Sequence, residues 1–332
     1  MSLSERFRRP ERHPYPMPAV VDLATADADI AAMCDHVRTT GDWRAAAAFL
    51  ESMPLGRPDQ VDRRDLASTA LSALAQASPG WFAGWETAEP RSAFVLSIRA
   101  DLWVAKAWKV RGSGYASTVS PAAFREFSRI LESADAAARA AVEADPQSGD
   151  AWMTWMQVGM GQGVGRAEFD RRWQGLTAAA PHHRFGHNVA LQIKCEKWYG
   201  SHDEMFAFAR TAAAAAPAGS PLKLLPVQAH VEYVLRAARD ESFSRGTYWN
   251  SAEVRPEVLA AQAAWEARPA PGPTDLHEYS LLAYAQAQSG RWRETGALFT
   301  AAGHRVVRYP WSYMPSTYLG IVHGLVEQDR KS

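Results

Sequence analysis

Cysteine is nearly absent from this chain. The two present, Cys34 and Cys195, lie far apart and outside any C-x-x-C pattern. That excludes a disulfide scaffold and a Cys-type zinc motif, and it fits two buried thiols in a reducing compartment. An excess of one charge is also missing. Lys plus Arg and Asp plus Glu stand at 36 each, which argues against a dedicated nucleic-acid binder. No apolar run approaches the length needed to cross a bilayer. The opening stretch, Met1 to Pro18, is rich in Arg and Pro without an apolar core, so it is not expected to be a signal peptide. Strand signals are scarce too: no segment alternates apolar and polar residues with β-branched enrichment. Motifs for an activated nucleophile, such as G-x-S-x-G, do not occur.

Alanine, tryptophan and helical spacing fill the space these absences leave. Runs such as WRAAAAFLESM (43–53) and ARTAAAAAP (209–217) favour helix, because Ala loses no side-chain entropy there. Pro and Gly cut the pattern into helices near 26–39, 42–53, 60–77, 91–110, 120–144, 151–160, 166–179, 184–197, 202–216, 222–239, 255–267, 275–288, 292–302 and 316–328. Residues 1–18 are expected to form an extended arm. Residues 19–267 are expected to form a helical-repeat domain, and 268–332 to continue or cap it beyond the break RPAPGP (Arg268 to Pro273). The segment Arg239 to Pro256 is the longest candidate loop.

A repeat underlies the helices. Pro146, Pro181 and Pro217 end similar strings and lie 35 and 36 residues apart. A period near 34 residues with two helices per unit is the tetratricopeptide pattern. Within a unit the pattern asks for Gly at the turn, then set positions for an aromatic, a small residue, apolar residues and a stop. Gly41 is followed by Trp43, Ala46, Leu50, Met53 and Pro58; Gly200 by His202, Met205, Ala209, Ala212 and Pro217; Gly290 by Trp292, Thr295, Phe299, Ala302 and Val307. Gly permits a sharp turn, the small residue lets two helices approach, and Pro ends the second helix. The expected fold is all-α, an irregular tetratricopeptide-like α-solenoid of stacked helical hairpins.

Residues 95 to 235 carry a more specific likeness. AWKVRGSGYASTVS (107–120), LQIKCEKWYGSHDEMFAFAR (191–210), APAGSPL (216–222) and AHVEY (229–233) together resemble a bacterial domain-of-unknown-function family of tetratricopeptide-like proteins. The resemblance implies a helical-repeat fold and brings no catalytic residues.

Five constellations bear on function. In PHHRFGH, His182, His183 and His187 have partial metal-ligand spacing, but no zinc motif completes them, so no metal or cofactor is expected and capping or solvent-facing histidines are the simpler reading. GMGQGVG (159–165) lacks the strand and the Lys-Ser of a phosphate loop and reads as a turn before a helix starting at Arg166. Met153, Met156 and Met160 with Trp152 and Trp155 read as core. In IRADLWVAKAWKVRGSG (98–114), Arg99, Lys106, Lys109 and Arg111 fall on or near one side of a helix; the alternative to a groove there is a solvated face with Trp103 and Trp108 in the core. Such cations, lining a concave groove, would hold a peptide carboxylate or another anion. Trp198, His230 and Glu232 are second-choice members of that groove. His230 and Glu232, two apart on a helix, need partners on other helices, and a buried polar network that fixes the packing is the simpler role for them. The expected role is a cytoplasmic binding or scaffold protein for a peptide, a protein tail or a small anion, with neither nucleic acid nor membrane as partner. The alternative is a small-molecule enzyme with a polar site around His230 and the 182–203 hairpin.

Overall fold

A computed structural model describes residues 15–54, 57–112, 119–198 and 200–331. The first fourteen residues of the Arg/Pro-rich arm, Tyr199, and residues 113–118 of the first family-like string lie outside the described residues. A strand β1 (Ala19–Val21) leads into α1 (Ala28–Thr40), α2 (Trp43–Glu51), α3 (Pro58–Ala77), α4 (Gly80–Ala88), α5 (Ala93–Arg111) and α6 (Pro121–Ala144). Then follow α7 (Gly149–Gln162), α8 (Arg166–Ala179), α9 (Arg184–Lys194), α10 (His202–Ala215), a 3-10 turn (Pro221–Leu224) and α11 (Leu225–Ala237). The chain ends with α12 (Arg245–Trp249), α13 (Val254–Glu266), α14 (Asp275–Gln288), α15 (Trp292–Ala301), β2 (Arg305–Val307), α16 (Arg308–Trp311) and α17 (Tyr318–Asp329). The fold is all-α apart from one short ladder.

Local chemistry sets these boundaries. Asp27, Asp42, Ser120, Ser148 and Ser201 each accept a hydrogen bond from a first-turn N–H of the helix they precede. Gly41 ends α1 at φ 73°, in the left-handed region where a side chain is strained. The GMGQGVG stretch differs from its expected turn: α7 continues to Gln162, and only Gly163, at φ 69°, turns the chain. Gly161 lies within that helix, where close packing favours glycine: a Cβ there would meet Leu131 at 2.8 Å. Sequence pattern did not show α4, which starts at Gly80 without a side-chain cap, nor α12 inside the expected long loop.

Neighbouring helices pack in pairs, and α3, α5, α7 and α9 also pack each on the next. Residues at the spacings counted from Gly41, Gly200 and Gly290 lie inside: Ala46, Leu50 and Met53, then Met205 and Ala209, then Thr295, Phe299 and Ala302 are all buried. Successive apolar clusters share helices along the chain, from Ala24–Ile98 through α5–α7 to a large C-terminal cluster. That last cluster includes Val258 and Trp265 before the Arg268–Pro273 break and Leu281 and Phe299 after it. Leu319, Val322 and Val326 of α17 are buried in it, so the terminal helix caps the core with that stripe.

The strands were not foreseen. β1 and β2 pair in parallel, Ala19 opposite Arg305 and Val21 opposite Val307. Tyr15, from the expected arm, is buried beside them: its hydroxyl donates to the Gly296 carbonyl at 2.6 Å, and its ring lies between His304 and His323. The chain's early residues are thereby fastened to its late helices.

Candidate functional site

Three of the four expected groove cations come together. Along α5, Arg99, Leu102, Trp103, Lys106 and Lys109 share a face about 15 Å long at 1.5 Å per residue. They line a groove of about 620 Å³ with Ala75 and Gln76 of α3 and Phe82, Ala83 and Glu86 of α4. Arg99 Nε lies 2.7 Å from Glu86 Oε1, which neutralises one end. Lys106 Nζ sits 4.9 Å from the Trp103 ring centroid. Neither Lys106 nor Lys109 is in an ion pair with a described carboxylate. Trp103 and Trp108 are half-buried rather than core residues, and Trp103 forms part of the groove wall.

Arg111 departs from this group. At about 100° per residue it points some 120° from Arg99, whereas Lys106 returns to within about 20°. It packs instead over Trp108, at 5.4 Å, and Trp108 meets Trp198 edge-on at 6.4 Å. Trp198 therefore belongs to a second cluster, outside the groove.

His230 and Glu232 also separate, as residues two apart on a helix must. His230 Nδ1 is 2.7 Å from the Tyr248 hydroxyl and Nε2 is 3.0 Å from Glu257 Oε2. Arg210, then His230, hold the Glu257 carboxyl down at about 2, and burial pushes the Tyr248 phenol up. Tyr248 thus keeps its proton, and the Glu257 carboxylate accepts from Nε2–H. Glu232 faces another way. It accepts from Lys197 at 2.7 Å, from Gln192 at 2.9 Å and from the Tyr309 hydroxyl at 3.4 Å. Burial alone would lower the Lys197 amine, but Glu232 outweighs it and the net shift is upward, which keeps the amine protonated. Burial pushes the Cys195 thiol up to about 12, and its S–H donates to the Leu191 carbonyl.

The histidine-rich hairpin is structural in its contacts. His183 caps α9 by accepting from the Gly186 N–H at 3.0 Å, and His187 Nδ1 donates to the His183 carbonyl at 2.9 Å. Both are buried rather than solvent-facing, and burial holds each at about 4, hence neutral at pH 7. No group of three metal-ligating side chains forms among the described residues. Gly200, the turn of this hairpin, is required by close approach: a Cβ there would collide with the Lys194 carbonyl. Since the obstacle is backbone, Gly200→Ala is expected to cost about 1–3 kcal/mol in a urea melt, as overpacked sites do.

A second polar interior, around Arg184, was not read from the sequence. Arg184, wholly buried, places Nε 2.7 Å from Glu278 Oε1 and donates from Nη2 to Gln228 Oε1 at 3.0 Å. Its backbone N–H donates to Asp62 at 2.9 Å, and His277 beside it stacks on Tyr309. Asp65, Asp101 and Asp150 continue this interior between α3, α5 and α7. Asp62, Asp65, Ser68 and Ser72 form one polar stripe on α3, the only signal the sequence offers. A stripe of that kind reads equally as a solvated face.

Comparison of the chain with known protein families, with curated proteins and with solved structures finds no match. No described helix is long and apolar enough to cross a membrane.

Proposed function

We propose that this chain is a tetratricopeptide-like binding protein whose α3–α4–α5 groove receives an anionic peptide segment of a partner protein, in a reducing compartment such as the cytoplasm. One observation carries the reading: Lys106 and Lys109 stand beside an apolar floor of Phe82, Leu102 and Trp103 within a single groove. The floor supplies area for an apolar anchor, and the two ammonium groups, neither in an ion pair with a described carboxylate, orient an anion. The buried state of the free thiols Cys34 and Cys195 suits a reducing setting. The His230 and Lys197 networks have their protons committed to neighbouring side chains, which favours binding over the enzyme reading.

Peptides selected on the wild-type chain from a library of random short peptides supply the probes. Lys106→Glu with Lys109→Glu is expected to weaken them by about tenfold or more, because two attractive contacts become repulsive. Both side chains are exposed, so the melting temperature is expected to stay close to wild type. Unchanged affinity in the double variant would remove the groove from the functional surface.

A further inference from the structure

Two of the three helices that wall the groove, α3 and α5, also meet α7 in a seam with an unusual charge count. Asp62 and Asp65 of α3, Asp101 of α5 and Asp150 of α7 act on one another inside the protein. Asp62, Asp65 and Asp150 are buried. Asp62 accepts from the Arg184 N–H, Asp101 from the Thr154 hydroxyl at 2.6 Å, and Asp150 from the Ser148 hydroxyl at 2.6 Å. No described donor reaches Asp65. The charged neighbours on the other packed elements do not redress the balance. Arg184 of α9 is already paired with Glu278 of α14, whose second carboxylate oxygen is itself without a partner. Arg64 turns to Asp145, at 3.6 Å, and to the Phe94 ring. His183 of α9 faces Asp150 as a neutral ring, and Asp59 adds one more negative charge toward Asp62. Asp62 and Asp65, buried in this seam without a cation of their own, must hold protons to stay there.

We propose that the α3–α5–α7 seam is a proton-held latch on the groove: its carboxyls share protons when closed, and on losing them they repel, so that α3 and α5 part and the groove loses its shape. The coupling to the groove rests on the binding reading above; the latch itself does not. Burial is the main cause that pushes Asp62 and Asp101 up to about 7, and Asp65 is pushed well above the carboxylate range by burial and by the other three. The sign follows from proton count. The closed seam holds protons that exposed carboxyls release above about pH 4, so opening becomes easier as pH rises, up to about 7 for Asp62 and Asp101 and beyond for Asp65. His183, neutral when closed and ordinarily 6.5, opposes this only below pH 6.5.

Hydrogen exchange of the full chain, corrected for the intrinsic base-catalysed rate and followed from pH 6 to 8, tests the latch. The expected result is loss of protection in α3 and α5 by up to about tenfold per pH unit for each proton released, with α13 to α15 unchanged. Asp62→Asn, Asp65→Asn and Asp101→Asn together, all of which stay neutral, should flatten that slope. A flat wild-type profile, or a slope that survives in the Asn variant, overturns the proposal. Infrared difference spectra of the wild type need no variant: loss of a protonated-carboxyl band over the same pH range is expected, and its absence overturns the proposal equally. A seam that opens while affinity for the library-selected peptides stays constant overturns the control of the groove and leaves the binding function standing. Failure to select any peptide counts against the binding function, while exchange still decides the latch.

Discussion

Glu278→Leu is expected to lower the free energy of unfolding by about 3–5 kcal/mol, the scale for breaking a buried ion pair on one side. The Arg184 and Glu278 side chains are 1% and 0% exposed, so removal of the carboxylate strands a guanidinium with no route to water. Gln228 would remain its main acceptor, with His277 Nδ1 at 3.4 Å. Arg184→Met with Glu278→Leu removes both charges and is expected to recover much of the loss, because the desolvation cost disappears with them. Urea denaturation of the four members of this cycle reads the coupling directly. Glu278 also sets an acid limit. Burial raises its carboxyl, but His277 and Arg184 outweigh burial and the net shift is downward. Its contribution is therefore present at neutral pH and fades as pH falls below the ordinary 4.5. A single variant that costs less than about 1 kcal/mol would mean that the pair is solvated and not interior.

Tyr15→Ala is expected to cost a similar amount, about 3–5 kcal/mol, as truncation of a buried aromatic does. The ring is 7% exposed, with the Arg330 guanidinium 4.5 Å from its centroid. Its backbone N–H donates to Glu327 and its carbonyl accepts from His323 at 2.7 Å, so the side chain anchors a segment that main-chain bonds then align. Tyr15→Phe removes only the hydroxyl, with its bond to Gly296 and its contact with the Thr300 hydroxyl, and is expected to cost about 1 kcal/mol. Limited proteolysis should cut Tyr15→Ala first within residues 15–23. An Ala variant as stable and as resistant as the wild type would show that the early segment rests on the C-terminal helices without holding them.

Most helices were legible because their signals are local. Alanine content, Asp and Ser caps and Gly stops act within a few residues, and the spacings from Gly41, Gly200 and Gly290 put most of the expected small and apolar residues inside, with Ala212 half-buried. The α4 helix was hidden because GWFAGWETA holds two glycines and no capping side chain; burial of Trp81, Phe82 and Trp85 holds it. The β1–β2 pair was hidden because three-residue strands from opposite parts of the chain leave no periodic trace. In the site, helical angle decided what could be read. Spacings of seven and ten residues join Arg99 to Lys106 and Lys109, while twelve carries Arg111 away to Trp108. Arg184 and the α3 carboxyls escaped notice because a polar helical stripe looks the same whether it meets water or other polar side chains.

The pairing of β1 with β2 changes how this chain can come apart. A row of hairpins with free ends melts inward from whichever terminal unit is weakest, and its stability is close to a sum over neighbours. Here Ala19–Val21 is laced to Arg305–Val307, and Tyr15 is lodged among α15 and α17. Neither extremity can fray without dragging on the other. Damage at one terminus is thus felt at the opposite one, and the molecule behaves in unfolding as a hoop rather than a ladder.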